Sequence, residues 1–308
     1  MVTRPHPATR VGVARSVLHY EFDGAIAGFL EALGTDVVLS PPTNRDIFLL
    51  GKRLVIDELC FPIKIFVGHV AHLAAQAVDR IVVPVVVEHE NGRVFPCHPR
   101  SRLADIVLSL GLCDRSRLLT PVFRFDEAGL TAGGFHELAA SLGYPADACD
   151  RALVAIRGLA EAQGADDDEG RKTLGLVGHP YIVRDAWANS HLVARLERLG
   201  CRVLTEADAE PIGYAPEGTG LHFDLAARTL TLARRWDRSP EVDGIVFLLP
   251  FNCGPDGDIA RHLVKTTAKP MLTLVLDELQ SSVGLVTRLE AFVDLLERKP
   301  AVARGRSR

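Results

Sequence analysis

Six cysteines occur in the 308 residues, and three of them sit in loops rich in proline and glycine. Cys60 lies in Asp57-Glu58-Leu59-Cys60-Phe61-Pro62, Cys97 in Phe95-Pro96-Cys97-His98-Pro99, and Cys253 in Asn252-Cys253-Gly254-Pro255-Asp256. Thiolates bind iron strongly, and stiff loops hold sulfur at fixed positions, so these contexts suit ligands of an iron–sulfur cluster. Spacing alone does not argue for one. No Cys-x-x-Cys pair is present, and by that measure a set of unrelated buried thiols is the plainer alternative. A zinc site completed by His69, His72 or His98 is a third possibility. Cys113 follows a helix end, Cys149 lies in a helical stretch and Cys201 opens a strand; these three read as packing.

Two further residues are placed for proton transfer: His179 in Gly178-His179-Pro180-Tyr181, and Glu278 in Asp277-Glu278. His179 reads equally as a packed residue beside Pro180, and Asp277-Glu278 equally as an acidic pair at a helix entry. His69 and His72 stand one turn apart on an apolar helix and read as structural, and Lys64 reads as a solvated surface residue. Several other chemistries lack their motifs. No Gly-x-x-x-x-Gly-Lys-Ser/Thr loop is present, and no Gly-x-Gly-x-x-Gly opens the first half. Neither His-Glu-x-x-His nor Gly-x-Ser-x-Gly occurs.

The elements that must position these residues alternate between strands and helices. In the first half, strands are expected over residues 11–14, 36–39, 81–87 and 118–124. Helices are expected over 22–33, 44–60 with a break near Gly51, 62–78 and 100–110. A helical bridge spans 133–164. The acidic run at 165–170 is a linker, because clustered like charges resist burial. The pattern then restarts, with strands over 173–177, 202–205, 244–250 and 271–276. Helices follow over 186–199, 221–236, 256–267 and 284–298. Such alternation implies parallel sheets with right-handed crossovers. The expected fold is α/β, with two doubly wound, flavodoxin-like halves at 11–164 and 171–298 and a cleft between them. Residues 1–10 and the basic stretch 299–308 are expected to be disordered tails. In open parallel sheets ligands gather at the carboxyl ends of strands, and most of the segments above fall there.

Bulk properties narrow the partners. Hydrophobic residues make up 47%, which excludes a disordered chain. The net charge of −4 offers no basic excess for phosphates, so nucleic acid is not an expected partner. The most apolar stretch, 81–87, is too short to span a bilayer, and the first ten residues lack an apolar leader core. A cytoplasmic protein is expected, with reduced cysteines.

At the level of motifs the chain resembles the activase-associated domain of 2-hydroxyacyl-CoA dehydratase activators, in its stand-alone form. That domain is related to the 2-hydroxyacyl-CoA dehydratase and benzoyl-CoA reductase subunits. The matching stretches are Val11-Gly12-Val13-Ala14-Arg15, Ser40-Pro41-Pro42-Thr43-Asn44, 57–64 around Cys60, Gly68-His69-Val70, Gly178-His179-Pro180-Tyr181, 250–256 around Cys253, and 276–278 continuing to 287–292. The resemblance implies a 4Fe-4S cluster on Cys60, Cys97 and Cys253, in a cleft between two α/β halves. It implies electron transfer or reductive, dehydratase-type chemistry, with an acyl-CoA substrate and an ATP-dependent activase or dehydratase-type subunit as partner. Here the third motif reads Cys97-His98-Pro99, where the family tends to have Cys-Pro. The ATPase module of the large activators has no counterpart in these residues, so ATP hydrolysis is expected of the partner. Two alternatives are a non-catalytic scaffold or cluster-delivery partner, and a zinc-binding α/β protein.

Overall fold

The computed structural model describes residues 9–89, 94–126, 129–157, 171–213, 216, 218–278 and 282–298. The chain divides into two compact units. The first comprises Met1–Glu161 with the short segments Gly213–Ala215 and His222–Asp224, and the second holds the remainder.

The strands of the first unit are β1 (Arg10–Val13), β2 (Asp36–Leu39), β3 (Arg80–Val82), β4 (Val85–His89), β5 (Leu118–Leu119), β6 (Val122–Asp126) and β7 (Gly129–Leu130). Its helices are α1 (Leu18–Glu21), α2 (Ala25–Ala32), α3 (Arg45–Leu54), α4 (Phe61–Ala74), α5 (His98–Ser101), α6 (Leu103–Ser109), α7 (Ala132–Ser141) and α8 (Ala146–Arg157). One sheet has the order β2-β1-β3-β5, all parallel, with Val11 opposite both Val37 and Arg80. A second, smaller sheet has the order β4-β6-β7, with β4 and β6 parallel and β7 antiparallel.

The stretches 81–87 and 118–124 are therefore each two strands, not one. Both break at a proline, Pro84 and Pro121, and both change sheets there. Proline has no N–H for the ladder and is excluded from a continuous central strand. The two runs stay in step across the break: Val83 N–H donates to the Leu119 carbonyl and Val85 N–H to the Pro121 carbonyl, both at 2.9 Å.

The region 44–60 is helical only to Leu54, and the helix runs through Gly51 unbroken. Asn44 starts it: Oδ1 accepts from the N–H groups of Asp46 and Ile47, each at 3.0 Å. Gly51 and Gly68 let α3 and α4 meet backbone to backbone. A Cβ on Gly51 would collide with the Lys64 carbonyl, and one on Gly68 with the Ile47 carbonyl. Helices α7 and α8, expected as a bridge, pack on this unit. The Phe135 ring lies 4.9 Å from that of Phe29 and 5.0 Å from that of Phe123. The expected linker at 165–170, residues 1–8 of the expected tail at 1–10, and the expected tail at 299–308 lie outside the described residues; Arg10, expected in that first tail, instead opens β1 opposite Asp36.

The second unit carries β8 (Lys172–Val177), β9 (Cys201–Leu204), β10 (Gly244–Pro250) and β11 (Met271–Leu276). Its helices are α9 (Pro180–Val183), α10 (Leu192–Arg198), α11 (Asp224–Arg238, whose first residue belongs to the first unit), α12 (Gly254–Thr266) and α13 (Ser282–Arg298). The sheet order is β11-β10-β8-β9, all parallel. β10 reads Gly-Ile-Val-Phe-Leu-Leu-Pro and is buried along nearly all its length, as a central strand covered on both faces requires. Burial of Ile245, Phe247 and Leu263 contributes about 1.5–3 kcal/mol each. The helix expected over 186–199 is shorter. Asp185 first caps a turn, accepting from Trp187 and Ala188 N–H at 3.1 and 3.0 Å, and α10 begins only after His191 at φ 56°. No helix among the described residues is long and apolar enough to cross a membrane.

Candidate metal centre

In the second unit the chain runs from β8 to β9 on one side, then returns past β8 to form β10 and β11 on the other. β8 and β10 therefore flank the point where strand order reverses, the position at which open α/β sheets bind ligands. Their register is tight: Val177 sits opposite Phe247. His179 follows β8 and Cys253 follows β10, so neighbouring strands bring together residues 74 positions apart in sequence.

His179 is the N-cap residue of α9, with Pro180 next to it, and its ring is buried. Nδ1 lies 2.6 Å from the Tyr181 hydroxyl, which fixes the ring. Nε2 lies 3.0 Å from Asp256 Oδ1. Asp256 stands three residues after Cys253, the N-cap of α12, so both face the same side of the first turn. One sulfur, one imidazole nitrogen and one carboxylate oxygen of Cys253, His179 and Asp256 all lie within 4.8 Å of one another. Glu278 lies two residues beyond β11, at the edge of the sheet, and is not a member of this group.

Cys60 and Cys97 belong to the first unit. Each is, like Cys253, an N-cap residue with extended backbone and proline in the first helical turn: Cys60 before α4, Cys97 before α5. All three are half-buried, whereas Cys149 and Cys201 are fully buried. The proline two positions on removes one N–H that a cap would use. Helices α4 and α12 are long enough to present a dipole that favours thiolate, whereas α5 is a single turn. At Cys97 burial raises the thiol pKa, against the weaker pull of the Arg100 charge and main-chain amide.

The segment after Cys97 is fixed by a buried charge network. Arg100 is 1% exposed; Nη1 and Nη2 donate to Asp224 Oδ1 and Oδ2 at 2.8 and 2.6 Å, and Nη2 to Glu21 Oε1 at 2.6 Å. Burial opposes its charge, but the two carboxylates outweigh that and raise its pKa. Phe95 pairs with Phe223 in a parallel bridge beside it.

Behind Cys60, the motif residues of the resemblance turn out to be a clamp. His69 Nδ1 lies 2.8 Å from Ser40 Oγ and Nε2 3.0 Å from Thr43 Oγ1, which ties α4 to the loop after β2. Burial, then the charges of His72, Arg15 and His19, lowers the His69 pKa to about 3, so the ring is neutral. Lys64 is not on a solvated surface: it is 2% exposed, with Nζ 3.9 Å from Asp57 Oδ1.

Asp256, Arg100, Glu21 and Asp224 did not emerge from the sequence as site residues. A signal for the first existed: Cys-x-Pro recurs at Cys60, Cys97 and Cys253, and only the last is followed at once by an acid. Nothing local marks Asp224, which is 124 residues from Arg100.

Residues 10–208, more than half of the chain, match the family model described as CoA enzyme activase uncharacterised domain. No curated protein matches the chain. The catalytic subunit of cobaltochelatase from Mycobacterium tuberculosis is 12% identical with a TM-score of 0.28, over 88% of this chain and 21% of that one. A LacI family transcriptional regulator from Arthrobacter sp. FB24 is 16% identical with a TM-score of 0.22, over 96% of this chain and 93% of that one. Scores that low carry no argument about function.

Proposed function

The chain belongs to the CoA enzyme activase domain family, and from that premise we propose an iron–sulfur protein that serves electron transfer or reductive, dehydratase-type chemistry on an acyl-CoA. Cys60, Cys97 and Cys253 are its ligands, and an ATP-dependent activase or dehydratase-type subunit is its partner. One observation carries this reading. The three thiols share a local structure: N-cap position, extended backbone, proline in the first turn, half-burial. Such positions hold sulfur stiffly and leave it reachable, as thiolate ligands must be.

A bound cluster would supply a low-potential electron and an iron able to polarise a substrate oxygen. The remaining steps belong to this chain's own residues. Arg100, locked between Glu21 and Asp224, holds the segment that presents Cys97. The clamp of His69 on Ser40 and Thr43 holds the helix that presents Cys60. His179, steadied by Tyr181, keeps a proton or a lone pair at Nε2, and Glu278 is a second proton-transfer candidate.

Anaerobic reconstitution with iron and sulfide, followed by metal and acid-labile sulfide analysis, tests the proposal. Iron and sulfide are expected in equal amounts, with loss in each of Cys60→Ser, Cys97→Ser and Cys253→Ser. Folded wild-type protein that takes up no sulfide under these conditions would overturn it.

A further inference from the structure

Asp256 is wholly buried, and neither of its carboxylate oxygens accepts a hydrogen bond. A buried carboxylate without donors is unfavourable unless a cation compensates it. The neighbour that faces it is His179 Nε2, at 3.0 Å, and that nitrogen also has no partner in hydrogen-bond geometry. Two buried polar atoms thus lie 3.0 Å apart with no hydrogen bond between them, and the Cys253 sulfur is within 4.8 Å of both residues' ligand atoms. The buried charge network of the first unit is paired differently. The carboxylates Glu21 and Asp224 receive the guanidinium hydrogen bonds of Arg100.

We infer that Cys253, His179 and Asp256 form a mononuclear site for a divalent transition-metal ion, complete within the second unit and independent of Cys60 and Cys97. Ligands bonded at about 2.0–2.3 Å in a tetrahedral set stand about 3.3–3.7 Å apart; here the imidazole nitrogen and carboxylate oxygen are 3.0 Å apart, and the sulfur lies within 4.8 Å of both. Thiolate, imidazole and carboxylate together select zinc, ferrous or cobaltous ions over magnesium or calcium. The Tyr181 hydroxyl on Nδ1 is the outer partner that orients a ligating imidazole. Three protein ligands leave a fourth position for water or a small ligand, the pattern of a catalytic rather than a structural site. Binding releases the thiol proton to solvent as the S–metal bond forms; no electron moves.

The site shares Cys253 with the proposed cluster, so the test must separate the two. Chelator-stripped full-length protein is titrated with Co2+ without sulfide, and the thiolate-to-cobalt charge-transfer band is followed. One equivalent is expected in the wild type and equally in the Cys60→Ser/Cys97→Ser double variant. Cys253→Ser should abolish the band. Asp256→Asn and His179→Gln should each weaken binding about 100-fold, while circular dichroism confirms that they fold. Loss of the band in the double variant, or unchanged affinity in both Asp256→Asn and His179→Gln, overturns the inference. Neither outcome touches the cluster reading, which stands or falls on sulfide uptake.

Discussion

The two units share a strand order but not a chemistry. Read from the second strand outward, β2-β1-β3-β5 and β9-β8-β10-β11 are the same arrangement, each reversing direction between its first and third strand. In the second unit that reversal point carries His179, Cys253 and Asp256. In the first unit the equivalent loops, after β1 and β3, close over a cavity of about 20 Å3 lined by Val13, Ala14, Phe66 and Pro84. That volume holds a water at most. Cys60 and Cys97 of that unit stand instead at the starts of α4 and α5. A topology supplies crevices; the residues at the loop ends decide which one acquires ligands.

The units also treat buried charge differently, and the sharpest break targets that contrast. Arg100→Met should destabilise the first unit by about 3–5 kcal/mol in urea denaturation, because Glu21 and Asp224 are left facing each other without a cation. Next in size is Gly68→Ala, where the added methyl meets the Ile47 carbonyl and forces α3 and α4 apart. A loss of up to about 3 kcal/mol is expected from the unfolding midpoint, together with faster alkylation of Cys60 as its helix loosens.

A pH series follows. His69 has a folded pKa of about 3, below the 6.5 of its unfolded form, so the unfolded chain binds the extra proton. Its contribution is complete above about pH 6.5 and falls as pH drops toward 3, by about 1.4 kcal/mol per unit. Stability should therefore be lower by about 2 kcal/mol at pH 5 than at pH 7, and His69→Gln should flatten that slope. The smallest effect has the opposite sign. In metal-free protein Asp256→Asn removes a buried charge that no donor satisfies, and the midpoint should hold or rise by about 1 kcal/mol. A fall comparable to that of Arg100→Met would show that Asp256 is already compensated.

Much of this was legible in the residues. Strand–helix alternation, the parallel sheets and the loops that carry Cys60, Cys97 and Cys253 follow from hydrophobic runs punctuated by proline and glycine. The two split strands were missed: continuous hydrophobicity reads as one strand each, although Pro84 and Pro121 mark the breaks. What could not be read is what depends on contact at long range. Lys64 looks like a surface residue until α3 is laid across α4. Arg100 looks like an ordinary helical arginine until a carboxylate arrives from residue 224. Asp256 sits beside a cysteine already singled out, yet its lack of donors exists only in the folded chain.

The return of residues 222–224 to the first unit has a consequence for dissecting the molecule. The stretch that matches the family model ends at residue 208, before Phe223 and Asp224. A fragment cut at the acidic stretch near 165 would lose the strand partner of Phe95 and one of the two acids on Arg100. The piece that looks most like a free-standing module on paper is therefore unfinished, and its missing parts are encoded some sixty residues downstream.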